Sequence, residues 1–257
     1  MSRFENAVQH IEQLVRNELA NWPSEWQRFI YPGYVYEHTL RVRNLAVSIA
    51  RQEGADERIT ELAALLHDIG KPEGEPHTEI GARRAEAILS NLEFDGGFSN
   101  RVCHAIQTHL TDEPGLPIEN LILRDADSID ANHGYVGYLR HITIHAKRGE
   151  TIDEIFTNAR FWLAKCEKRL EKYNTEAAKA IAEGRLVRTR TLLRILGENL
   201  KSREEKTGSA FGIAYYIAAD AHRPSLFRQV EEMEYVLQNN CSLKSLRPSR
   251  FLHDFVQ

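Results

Sequence analysis

The sequence predicts an all-α protein, and three observations carry that expectation. Apolar residues recur at the three-and-four spacing of a single helix face through most of the chain. The 8 Pro and 15 Gly in 257 residues are few, and the turns they form separate those periodic segments. Nowhere is there a convincing strand-like alternation of apolar and polar residues.

Each element follows from its own pattern. Residues 4–20 put Phe4, Val8, Ile11, Val15 and Leu19 on one stripe, which Trp22-Pro23 ends. Ser24 can cap a short helix holding Trp26 and Phe29, before a turn at Pro32-Gly33. A helix over about 35–53 buries Val42, Leu45, Ala46 and Ile49, with His38 four residues ahead of Val42 on the same face. After Gly54, the central helix carries Ile59, Leu62, Ala63, Leu66 and Ile69. Gly70, expected at positive φ, and Pro72 end it. The helix over about 77–92 buries Gly81, Ala85, Ile88 and Leu92, and His77 begins that stripe. Beyond the turn at Asp95-Gly96-Gly97, a helix over about 98–110 places Val102, Ile106 and His109 together. Pro117 suits the start of a helix through Ile118, Leu121 and Ile122, which runs into Asp125-Ala126-Asp127-Ser128-Ile129-Asp130. Tyr135–Lys147 reads as helical. Residues 151–206 read as long charged helices around Phe161, Leu170, Ile181 and Leu196, and a last helix is expected over about 209–238.

Composition narrows the function. A chain of 257 residues can bury a large core, and its hydrophobic and charged fractions of 42% and 27% are those of a soluble globular protein. The net charge of −4 argues against a dedicated nucleic-acid binder. Between Arg160 and Lys206 there are 13 Lys or Arg against 7 Glu, which reads as a charged solvent face on long helices. Three distant cysteines, Cys103, Cys166 and Cys241, form no disulfide framework and no thiolate zinc knuckle. No apolar signal core and no membrane-length apolar run is present, so a soluble, cytoplasmic protein without a membrane partner is expected.

His67 and Asp68 break the central apolar face where it should be most hydrophobic. Burying an unpaired carboxylate is costly, so a cation or a dense set of donors must offset it. Imidazole beside carboxylate suits Mn, Fe, Zn or Mg. Four histidines, His38, His67, His77 and His109, fall on the apolar faces of four different helices. Histidine is only intermediate in burial preference, so packing alone explains the set poorly. Facing helices of a bundle build metal sites from inward side chains of this kind. On this periodicity Asp125 shares the apolar face of Ile118 and Ile122. His104 points about 140° away from His109 and is assigned a structural role.

The order of these residues resembles the HD superfamily of metal-dependent phosphohydrolases. The matching words are Glu37-His38-Thr39-Leu40-Arg41-Val42, His67-Asp68-Ile69-Gly70-Lys71-Pro72 and Ala126-Asp127-Ser128-Ile129-Asp130-Ala131, spread over residues 34–140. The resemblance implies an HD-domain helical bundle at 34–148, with N-terminal helices at 1–33 packing on it and a C-terminal helical extension at 149–257. It implies that His38, His67, Asp68 and Asp127 bind a first metal; here it disagrees with the periodicity, which favours Asp125. His77-Thr78-Glu79-Ile80-Gly81-Ala82 and Ala105-Ile106-Gln107-Thr108-His109 look like words of the two-metal branch. In that branch Asp68 bridges two ions and His77 and His109 hold the second.

The cofactor implied is one or two divalent ions of Mn, Fe, Zn, Co or Ni, with Mg as a harder alternative. Such an ion lowers the pKa of bound water and yields hydroxide near neutral pH. The expected activity is hydrolysis of a phosphate ester or anhydride of a small molecule, a nucleotide first. Lys71 is placed to reach a phosphate oxygen, and Asp130 to orient a ligand or water from behind. Arg41 and Arg43 are expected to be solvated. His141 and His145, four apart, have no third ligand beside them. Two rival readings are a di-iron oxygenase on the same fold and a non-catalytic nucleotide-sensing module. The extension offers a homodimer interface as one of its roles.

Overall fold

A computed structural model of the chain describes residues 2–20, 22 and 33–201, with the side chains of 152–153 and 195–201 excepted. The described residues are all-α: helices joined by turns and two short 3₁₀ segments, with no strand among them. The short helix expected after Ser24 and the last helix expected over 209–238 lie outside the described residues.

The chain divides into two compact units. One comprises the described residues up to Ala131 together with Lys172–Ala182; the other comprises Asn132–Glu171 and the described residues from Glu183 onward.

In the first unit, α1 (Arg3–Leu19) starts on a capping box, in which Ser2 and Glu5 satisfy each other's backbone donors. It buries Ala7, Ile11, Val15 and Leu19 against α2 (Tyr34–Glu53) and α3 (Glu57–Leu66). Gly54 ends α2 with φ 69°, and its N–H bonds the Ala50 carbonyl, a left-handed cap that costs glycine little. Asp56 then caps α3 by accepting from the backbone N–H groups of Arg58 and Ile59. From Leu62 to Gly70 every residue is buried, so the central segment is enclosed on all sides. Next come α4 (His77–Asn91), α5 (Gly96–Thr108) and α6 (Ile118–Asn132). Helix α4 packs along α5, and α5 against α3. The segment at the start of α9 (Glu176–Lys201) is held in this unit by two acids: Glu53 accepts from Ala177 N–H, and Asp125 accepts from Asn174 and Thr175.

In the second unit, α7 (Gly134–Lys147) packs against α8 (Ile152–Arg169). A capping box of Thr151 and Glu154 opens α8. Phe161, counted from the sequence among the residues that organise these helices, is 57% exposed. Among the described residues, no helix is long and apolar enough to cross a membrane.

The central helix differs from its expectation in an informative way. It ends at Leu66, and Gly70 has φ −82°, a conformation open to any residue. Close approach explains the glycine instead. A Cβ on Gly70 would lie 2.4 Å from the His77 carbonyl oxygen and 2.7 Å from the Gly81 nitrogen. The turn after His67-Asp68 therefore presses directly on the start of α4. That contact brings His77 to the HD pair.

Candidate metal centre

His67 and Asp68 sit in the tight turn that follows α3. Two short-range backbone bonds hold this turn, Ile69 N–H to Leu66 O and Lys71 N–H to Asp68 O, and the Arg84 guanidinium donates to the Ile69 carbonyl. The carbonyls left over at the helix end are thus met by neighbours. Around the turn stand His38 from the start of α2, His77 from the start of α4, His109 just past α5, and Asp127 from α6.

The four histidines share one orientation. His67 Nδ1 meets Ala64 O at 2.7 Å, and His109 Nδ1 meets Ile106 O at 2.6 Å. His38 Nδ1 meets Asp130 Oδ2 at 2.7 Å, and His77 Nδ1 meets Glu75 Oε2 at 2.8 Å. Each ring therefore leaves Nε2 as the atom for the centre. A partner on the second nitrogen is what fixes the tautomer and aim of a metal-binding imidazole.

The Nε2 atoms converge on two carboxylates. His38 Nε2 lies 3.0 Å from Asp127 Oδ1 and 3.8 Å from Asp68 Oδ2. His67 Nε2 is 3.3 Å from Asp68 Oδ2, and His77 Nε2 is 3.7 Å from Asp68 Oδ1. Two groups among the described residues have donor atoms all within 4.8 Å of one another: His38, His67 and Asp127, and His67, Asp68 and His109. His77 belongs to neither trio but reaches Asp68, and its ring centroid is 5.9 Å from that of His109.

The donor set fits a divalent cation. His67 Nε2 and Asp68 Oδ1 are both buried and have no hydrogen-bond partner, an arrangement that is expensive unless a cation occupies the space between such groups. Neutral imidazoles with carboxylates are the ligands that borderline divalent ions prefer.

The electrostatics are strongly polarised. Burial alone would raise the Asp68 carboxyl, but His67, Lys71 and His38 outweigh it and hold it well below the usual carboxylate range. Asp127 is lowered in the same way, against burial, chiefly by His38. His109 is pushed down to about 4 by burial and by neighbouring His67, so it is neutral and has a lone pair to offer. Burial also opposes the charge on His38, yet the bonds to Asp127 and Asp130 raise it to about 9.

The remaining candidates divide cleanly. The Lys71 ammonium sits on Asp68 Oδ2 and is partly exposed. Asp130 is fully buried behind His38. Asp125 lies elsewhere: it accepts from the backbone and side chains of Asn174 and Thr175 at 2.7–3.1 Å, which uses both its oxygens. The periodicity put it correctly on a buried face, and a helix start consumes it there. His104 pairs with Asn120. Arg43 pairs with Glu12 at 2.6 Å. Arg41, expected in solvent, is only 8% exposed and bonds Asp130. Sequence reasoning also missed Glu75, whose proximity to His77 two residues on was a visible but weak signal.

Comparison with known proteins agrees with this geometry. The HD domain family matches residues 35–132. Ribonuclease Y of Cutibacterium acnes is 34% identical over 137 residues, covering 51% of this chain and 23% of that protein. A deoxyguanosinetriphosphate triphosphohydrolase-like protein of Bradyrhizobium diazoefficiens is 34% identical over 113 residues, covering 40% of this chain and 27% of that one. The chain thus spans about a quarter of the length of these curated relatives. Among solved structures, a predicted HD superfamily hydrolase from an uncultured Thermotogales bacterium shares 29% identity with a TM-score of 0.54, over 74% of this chain and 91% of that one. Bacillus subtilis YpgQ in complex with ADP shares the fold, at 24% identity and a TM-score of 0.59, over 79% of this chain and all of the other. The HD turn, its surrounding histidines and the family match fall on the same segment: residues 35–132 match the HD domain family, and the chain is similar there to HD superfamily hydrolases.

Proposed function

We propose that this chain is a metal-dependent phosphohydrolase acting on a phosphate ester or anhydride of a nucleotide. One observation carries the reading: four imidazoles turn Nε2 toward buried Asp68 and partly exposed Asp127, and His67 Nε2 and Asp68 Oδ1 lie there without a hydrogen-bond partner. In this reading His38, His67, Asp68 and Asp127 would hold one ion, and Asp68 with His77 and His109 would hold a second. The ions suited to this set are Mn, Fe, Zn, Co and Ni, with Mg as the harder alternative. A bound ion supplies an acidified water as nucleophile and positive charge for the phosphoryl oxygens.

The chain's own residues do the rest. Asp130 and Glu75 hold His38 and His77 in place from behind. Lys71 is the cation nearest the site: its ammonium faces Asp68 and is partly exposed, within reach of a phosphate oxygen. The relatives' names, a ribonuclease and a dGTP triphosphohydrolase-like protein, both denote hydrolysis at phosphorus in a nucleotide-containing substrate. A fold neighbour was solved with ADP.

The test is a Mn²⁺-reconstituted screen of nucleoside di- and triphosphates, dinucleoside polyphosphates and short RNA, read by product formation. The proposal expects metal-dependent turnover that persists under strict anaerobiosis and disappears in Asp68→Ala. Turnover that needs O₂, or that survives Asp68→Ala, would contradict it.

A further inference from the structure

We infer that Arg41 is a positioning residue for the metal centre, acting through Asp130 to hold His38. The inference rests on the metal-dependent reading above and adds a residue to it. The four ligand histidines are not supported alike. His67 and His109 bond a carbonyl three residues back, so their aim comes with the local backbone. His38 has a different support. Its Nδ1 partner is Asp130, 92 residues away on another helix, and a carboxylate on a side chain can rotate unless something fixes it.

Arg41 is that something. Its Nε donates to Asp130 Oδ1 at 2.8 Å and its Nη2 donates to Asp130 Oδ2 at 3.1 Å. Both oxygens are engaged by one planar fork, so the plane of the carboxylate is set as well as its position. Asp130 is 0% exposed and Arg41 only 8%, so bulk water has little access to replace the clamp. Glu37 stands 3.8 Å from Arg41 Nη1 and adds an acidic neighbour on the same helix. With Oδ2 anchored, His38 Nδ1–H has a fixed acceptor and Nε2 is aimed at Asp127.

The experiment is calorimetric titration of the metal-free full chain with Mn²⁺. Arg41→Gln is expected to weaken binding by ~10–100-fold, the range that losing an outer partner of a ligand costs. Arg43→Gln, on the same helix as Arg41 but paired with Glu12 of α1, is expected to leave the affinity unchanged. A role through Asp130 also predicts strong non-additivity: in an Asp130→Asn background, Arg41→Gln should add less than about a 2-fold further loss. Wild-type affinity in Arg41→Gln, or losses that multiply in the double variant, would overturn the inference. Should Arg41→Gln not fold, Arg41→Lys decides: lysine keeps the charge but cannot grip both oxygens, so a weakened affinity supports the clamp and an unchanged one overturns it. A wild-type chain that takes up no divalent ion contradicts the metal reading itself, which separates the two failures.

Discussion

Histidines cluster in both compact units, and the two clusters use their rings in opposite ways. In the first, His38, His67, His77 and His109 commit Nδ1 and turn Nε2 toward Asp68 and Asp127. In the second, His133 and His141 spend Nε2 on the carbonyls of Cys166 and Ile155, at 3.1 and 3.4 Å. His145 gives Nδ1 to Glu150 at 2.7 Å, and its ring lies 4.2 Å from that of His141, which stacks near Tyr138 and Trp162. The spacing of His141 and His145 on one helix face is as good as any ligand pair's, yet Glu150 meets only His145, and among the described residues neither ring belongs to a group that could hold a metal. The difference teaches what distinguishes a metal centre from a packed imidazole cluster. It is a buried acid with one oxygen left without a donor, together with rings whose outer nitrogen is tied down.

The largest effect expected from breaking this contrast is at Asp68. Asp68→Ala should lower hydrolysis by at least ~10³-fold, as expected when the group shared by a catalytic constellation is removed. Helical circular dichroism should change little, because Ala fits the buried turn. Turnover near the wild-type rate would remove Asp68 from the site. The next effect separates two neighbouring acids. Asp127→Asn should cost activity and metal affinity with little loss of stability. Asp125→Asn should do the reverse, losing ~1–3 kcal/mol in denaturant unfolding as the charge leaves a set of buried donors. The opposite pairing of effects would show that Asp125 is the ligand.

His77 offers a finer cut, because it stands outside both tight donor groups. His77→Ala should lower the metal count by about one ion per chain while leaving the first ion bound, measured by elemental analysis; an unchanged count would leave the chain with a one-ion site. The smallest effect belongs to the second unit. Burial pushes His133 and His141 down to about 4, His141 with help from His145. Both lie below the ordinary 6.5, so as pH falls the unfolded chain takes up protons before the folded one. Stability from these two groups is complete above about 6.5 and declines toward pH 4. Thermal melts of His133→Gln should depend less steeply on pH across that window, and an unaltered slope would show that His133 stays solvated.

Much of the first unit was legible in the sequence because its signals are local. Helix faces, the HD turn and the placement of His38, His77 and His109 all follow from spacing within one segment. What was not legible depends on pairs distant along the chain. Arg41 and Asp130 are 89 residues apart, and nothing in the word Glu37-His38-Thr39-Leu40-Arg41 tells a buried clamp from a solvated arginine. Asp125 shows the same limit from the other side: periodicity found its buried face, but its consumer is Asn174-Thr175, 49 residues or more away. Gly70 was recognised as necessary for the wrong reason. Helix-ending glycines are usually explained by positive φ, whereas this one is needed because α4 presses on it, a tertiary fact.

The central claim is that the first cluster holds metal and the second does not. The most direct measurement is elemental analysis of three purified proteins after equilibration with Mn²⁺: wild type, Asp68→Ala and His141→Gln. The account predicts one or two ions per chain in the wild type, the same number in His141→Gln, and none in Asp68→Ala. Ions that persist in Asp68→Ala but vanish in His141→Gln would contradict it, as would a wild-type chain that holds none.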